Sequence, residues 1–251
     1  MKIEIKRDKV RIKKEFYTNI HEEKDILYKI CNDYSSYETQ DILTYIYSLP
    51  KIDGVLGITD LLCEDGVIYG YTMPKLNGSV TLKSIIEKQF SDETKCFLIK
   101  KLTNTLKELH KYLVIGDIRL DNILIYENKP LFIDLENGQK IYERNYLVTL
   151  YDLRDKEYSV MDDIFKLFVC IMSILFNEDF EYLFTASYDN RQHFEDFINK
   201  INSSEIKVYY EYLKESLKED HTYPIYFTDI FDEFTPDKVS QITKKQMMLE
   251  M

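Results

Sequence analysis

The sequence predicts an α+β protein in two lobes, with a small β-rich N-terminal lobe and a larger α-helical one. Three observations predict this. Apolar and charged residues alternate with a period of two from Lys2 to Phe16, and short apolar runs beside turn residues follow as far as Met73. From about residue 91 the apolar residues recur at helical spacing. Between the two regimes lies Pro74-Lys75-Leu76-Asn77-Gly78-Ser79, whose composition suits a hinge.

Taken in order, Lys2 to Phe16 sets Ile3, Ile5, Val10 and Ile12 against charged neighbours, with a polar break at Arg7-Asp8-Lys9. This predicts a hairpin. Ile26 to Cys31 reads as a short strand interrupted by Lys29, and Tyr37 to Leu49 as a helix stopped by Pro50. Val55 to Cys63 and Val67 to Met73 flank a Glu64-Asp65-Gly66 turn, a second hairpin. Ser91 can cap a helix carrying Leu98, Leu102, Leu106, Leu109 and Leu113 on one stripe. Val160 to Phe176 is apolar all round, which predicts a buried central helix. Tyr209 to Leu217 and Tyr226 to Phe234 read as helices around Pro224, and the tail from Thr235 as a short amphipathic helix or disorder. The boundaries are 1–73 for the first lobe, 74–79 for the hinge, 80–235 for the helical lobe and 236–251 for the tail.

The bulk properties narrow the function. A formal net charge of −11 over 251 residues argues against non-specific nucleic-acid binding, which needs basic surface. The basic run from Lys2 to Lys14 reads as a solvated edge strand. No apolar run reaches the ~20 residues of a membrane span, and no secretory signal opens the chain. Cys31, Cys63, Cys96 and Cys170, without metal-ligand spacing, predict reduced thiols in a cytoplasmic setting. With 45% hydrophobic residues, 21 Tyr and 14 Phe, the chain can fill a large core, and the aromatics read as core filling.

The richest stretch is Leu109-His110-Lys111-Tyr112-Leu113-Val114-Ile115-Gly116-Asp117-Ile118-Arg119-Leu120-Asp121-Asn122, which leads into an apolar strand. A turn follows, and then Leu131-Phe132-Ile133-Asp134. An Asp and an Asn five residues apart, before a strand pair that ends on another Asp, suit phosphoryl transfer. One carboxylate can accept a hydroxyl proton while an amide oxygen and a second carboxylate hold metal ions.

This pattern resembles the catalytic and metal-binding loops of protein kinases and their small-molecule-kinase relatives, and the order of elements over Lys2 to about Phe234 is similar to theirs. The resemblance implies a protein-kinase-like fold that binds ATP and Mg²⁺ between the lobes. Asp117 would take the acceptor proton, and Arg119 would face the transferring phosphate. Asn122 and Asp134 would hold the metal. Lys29, in Leu27-Tyr28-Lys29-Ile30, would be the strand lysine that reaches the phosphates, with Lys13 as its rival. Glu38 would be the helix carboxylate paired with that lysine, with Asp41 as the alternative. Met73, Pro74 and Leu76 would meet the adenine edge, and Asp163 would brace the catalytic loop from below. His110 reads as a packing residue.

Departures from the family are equally specific. The triplet is Asp134-Leu135-Glu136, close to the choline- and aminoglycoside-kinase-like variants, and Glu136 adds a carboxylate near the metal. Ile115 and Gly116 replace the His-Arg pair. Residues 1–53 contain no glycine, so there is no glycine-rich phosphate loop. An Ala-Pro-Glu segment is missing, with only Asp155-Lys156-Glu157 in its place. The acceptor implied first is a protein serine or threonine. A small-molecule hydroxyl is the second reading, and a nucleotide-binding pseudokinase the third.

Overall fold

The computed structural model describes residues 2–4, 13–15, 18–31, 36–141, 159–182, 188–217 and 223–244. The protein is mixed α+β, with a small, mostly antiparallel sheet in its N-terminal part and a helical C-terminal part. The strands are β1 (Lys2–Glu4), β2 (Lys13–Glu15), β3 (Thr18–Glu23), β4 (Ile26–Ile30), β5 (Asp60–Glu64) and β6 (Val67–Pro74). They form a six-stranded sheet in the order β1-β5-β6-β4-β3-β2.

Among the described residues, the two ends of the hairpin expected over Lys2 to Phe16 do not pair with each other. β1 pairs in parallel with β5 at one edge, and β2 pairs with β3 at the other. Period-two alternation identifies strands but carries no information about their partners. The polar break at residues 7–9 lies outside the described residues. Asp65 and Gly66, both at positive φ (50° and 81°), make the tight β5–β6 turn, as the sequence predicts. The strand expected from Val55 begins only at Asp60. Val55 instead makes an isolated parallel bridge to Phe132.

Helix α1 (Tyr37–Ser48) is capped by Ser36, whose hydroxyl accepts from Thr39 N at 3.0 Å. It buries Leu43 against Cys31, Leu61, Cys63, Ile68, Tyr71 and Met73 of the sheet. The chain then crosses β7 (Val80–Thr81) and α2 (Leu82–Ile85) into α3 (Asp92–Leu109), which Ser91 caps. Leu113 leaves the helical stripe for β8 (Leu113–Val114), which pairs with β11 (Gln139–Lys140). Between them, β9 (Ile123–Tyr126) and β10 (Lys129–Phe132) form a hairpin turned by Glu127 and Asn128 at positive φ.

Helix α4 (Val160–Phe176) is the buried central helix, opened by a Ser159–Asp162 capping box and closed by Asn177 in the left-handed region. Around it pack α5 (Tyr188–Lys200), α6 (Ser204–Ser216) and α7 (Pro236–Lys244). Phe168 of α4 contacts the rings of Phe194, Tyr209, Tyr210 and Phe227. The aromatic residues thus fill the core.

Two expectations need correcting here. Tyr226 to Phe234 holds only a 3₁₀ turn, Phe227–Ile230. Its Phe227, Phe231 and Phe234 mimic helical spacing but are buried by packing edge-on or tilted against one another, with centroids 5.2–5.6 Å apart. The α5 helix, with sparse apolar residues, goes unpredicted. Among the described residues no helix is long and apolar enough to cross a membrane.

Candidate functional site

The loop 115–122 is built from below. Asp163, fully buried in the first turn of α4, accepts from Ile115 N at 2.6 Å, Gly116 N at 2.9 Å and His110 Nε2 at 3.1 Å. The Asp163 oxygen only accepts, so Nε2 of His110 carries a hydrogen. Its Nδ1 meets the Tyr226 hydroxyl at 2.9 Å, and these contacts suit a packing histidine. Buried Lys166, one turn along α4, donates to Gly116 O at 2.7 Å. Gly116 has φ of +79°, a conformation that glycine adopts without strain. The bracing expected of Asp163 is therefore present, and Lys166 adds to it.

Above this brace, the Asn122 amide donates to both the backbone oxygen and Oδ2 of Asp117, each at 2.9 Å. That use of its nitrogen leaves the amide oxygen for another partner. Asn122 O in turn accepts from Ile133 N at 3.0 Å, which ties the loop to the far end of β10 and brings Asp134 alongside. Asp134 sits in the left-handed region (φ +60°), which Asp tolerates better than most residues. It opens the 3₁₀ turn Leu135–Asn137.

Lys29 reaches this turn from β4. Its ammonium, on a side chain only 2% exposed, ion-pairs with Asp134 Oδ1 at 2.8 Å and with Glu136 Oε1. Burial alone would lower its pKa, but the charges of Glu136 and Asp134 outweigh that and hold it above the ordinary lysine value. Tyr71, directly across from Lys29 on β6, donates its hydroxyl to Glu136 Oε2 at 2.8 Å. Burial, and then Glu136, push the Tyr71 phenol well above its usual range. The neighbouring Cys31 thiol is pushed up to about 12, chiefly by burial, so it is inert as a nucleophile.

Glu38 is not the partner of Lys29: it is exposed in the first turn of α1. Asp41 is ion-paired with Lys140 of β11. A carboxylate one helix turn away is placed by local rules, whereas meeting Lys29 needs the 3₁₀ turn from the other part of the chain. Lys13 lies on edge strand β2, two strands away from β4.

A small cleft lies between the sheet, α1 and the Asp134 turn, lined by Ile46, Leu56, Ile58, Tyr71, Met73, Asp134, Leu135 and Glu136. Of the three hinge positions Met73 lines it, while Pro74 is exposed and Leu76 half-buried. Arg119 has a buried Nε without a hydrogen-bond partner among the described residues. The stretch 155–157 lies outside those residues.

Three residues escaped the sequence reading. Tyr71 and Lys166 carry no local signal. Glu181, nearly fully buried, accepts from Leu120 N and from Cys170 Sγ at 3.6 Å, and burial raises its pKa to about 7. Beside it, Lys83 pairs with Asp121 at 3.3 Å and Asp179 at 3.7 Å.

The Asn122 amide oxygen and the Asp134 carboxylate are hard oxygen donors. Two such ligands, completed by phosphate and water, suit Mg²⁺, which rarely takes an all-protein cage. No cluster of three or more His, Cys, Asp or Glu able to hold a metal occurs among the described residues. In comparisons with known proteins, no family model matches the chain and no curated protein matches it.

Proposed function

We propose that the protein is an ATP-dependent phosphotransferase of the protein-kinase-like class, with residues 1–73 and 80–235 as its two lobes and ATP bound between them. The observation that carries this reading is the chain of contacts from Asp117 through Asn122 to the turn bearing Asp134, which ends on the buried Lys29 ammonium.

In this reading Lys29 holds the α and β phosphates, and Met73 borders the adenine. Asn122 and Asp134 hold Mg²⁺, which when bound neutralises the triphosphate. Asp117 orients an acceptor hydroxyl. Its oxygen bonds to the γ-phosphorus as the bond to the bridging β–γ oxygen breaks. ADP departs and the hydroxyl proton passes to the Asp117 carboxylate. Arg119 brings fixed positive charge within two residues of Asp117, where charge spreads over the phosphoryl oxygens. A protein serine or threonine is the first choice of acceptor and a small-molecule alcohol the second. The absence of any glycine from residues 1–53, and with it of a glycine-rich phosphate loop, favours a nucleotide-binding pseudokinase as the competing reading.

The test is incubation with Mg²⁺ and ATP labelled on the γ-phosphate, beside Asp134→Asn, which keeps a residue tolerant of positive φ. Wild type is expected to move label to protein or to an added alcohol, and the variant to lose at least about 100-fold in rate while staying folded. Equal transfer by both would overturn the mechanism. Binding of MgATP without transfer would select the pseudokinase, and no binding would overturn the reading.

A further inference from the structure

We infer that Glu136 is the positioning residue for Lys29, taking the place of a helix carboxylate. This inference rests on the phosphotransferase reading of the site.

Both oxygens of Glu136 are committed, Oε1 to the Lys29 ammonium and Oε2 to the Tyr71 hydroxyl. The Glu136 side chain is 13% exposed, against 28% for Asp134, so Asp134 is the more accessible of the two carboxylates on Lys29. One ammonium facing two carboxylates leaves a surplus negative charge in a partly buried site, which an incoming divalent cation relieves. Asp134 is then free to turn from the lysine to the cation while Glu136 keeps the ammonium in place for the phosphates. Buried Lys29 has few routes to water, so loss of the Glu136 charge leaves Asp134 with two tasks at once.

A second consequence concerns α1. Glu136 stands two residues after Asp134 on one short turn, closed by Gly138 N donating to Leu135 O at 2.9 Å. Lysine position and cation position are thereby set by the same few residues. Glu38, exposed on α1, takes no part in the lysine's ion pairs.

The test compares wild type, Glu136→Gln, Tyr71→Phe and Glu38→Ala, each checked for folding by thermal melt. Affinity for MgATP is read calorimetrically as Kd, and as KM wherever transfer occurs. Glu136→Gln is expected to weaken MgATP about tenfold with kcat changed less than about threefold, and Tyr71→Phe to weaken it about two- to fivefold. Glu38→Ala should bind like wild type. The Tyr71 variant keeps the test alive if Glu136→Gln fails to fold. Unchanged affinity in the Glu136 and Tyr71 variants, or a loss carried by Glu38→Ala, overturns the role while leaving the phosphotransferase reading intact. Wild type that binds no MgATP overturns both.

Discussion

Glu181 shows how one buried side chain can give the protein a pH dependence. Its carboxyl is pushed up to about 7 by burial, against 4.5 for a free glutamate, although Leu120 N donates to it. The folded value exceeds the unfolded one, so the folded state holds this proton more tightly. The stabilisation it brings is complete below about 4.5 and is lost as pH rises through about 7. Glu181→Gln removes the charge but keeps an oxygen for Leu120. Urea unfolding at pH 8 should find the variant more stable by about 1–2 kcal/mol, with the gain vanishing toward pH 5. A wild-type stability that stays flat from pH 5 to 8 would contradict this. Asp163 is as deeply buried but receives three hydrogen bonds, which satisfy its oxygens away from solvent.

At the scale of elements, the position of Lys29 depends on how closely β4 and β6 approach. Gly70 stands opposite Ile30, and a Cβ there would fall well inside 3.0 Å of the Lys29 backbone oxygen. Backbone cannot swing aside as a flexible side chain can. Gly70→Ala should therefore prise the two strands apart, costing about 2 kcal/mol or more in urea unfolding and weakening MgATP binding. Loss of stability without loss of binding would show that strand spacing does not set the lysine. Much at this scale was legible in the sequence. Ser91 marks a helix start by a side-chain hydrogen bond within three residues; Ser36 and Ser159, which the sequence did not single out, cap their helices in the same way. Asp65-Gly66 marks a turn through backbone conformation. The run Tyr226 to Phe234 was misread because buried aromatics at spacings of four and three satisfy a helical pattern without a helix.

At the scale of the whole molecule, sheet and helical part are joined by contacts around the cleft. Gly54 O accepts from Phe132 N and Leu56 N donates to Phe132 O, both at 2.9 Å, which fastens the 50–59 connection onto β10. The Tyr45 hydroxyl of α1 donates to Tyr112 O at 3.0 Å, and Asp41 pairs with Lys140. A ligand that contacts both parts binds only the assembled protein. MgATP at about 100 times its Kd should add about 2.7 kcal/mol, raising the melting temperature by roughly 5–10 °C. ADP without metal should raise it less, and a melt indifferent to both would count against a nucleotide site.

Local chemistry was enough to place Asp117, Asn122 and Asp134. A loop, a hairpin and a turn act over a few residues, and their spacing survives any arrangement of the rest. The same reach explains the central helix, whose all-round apolar surface leaves burial as its only stable environment. Tertiary packing decided what no short-range rule reaches: which edge each of β1 and β2 occupies, and which carboxylates meet Lys29. Strands are chosen as partners by the core they share, not by their alternation. A buried ammonium takes the charges that packing brings to it, and here those come from the turn after β10, not from the nearest helix.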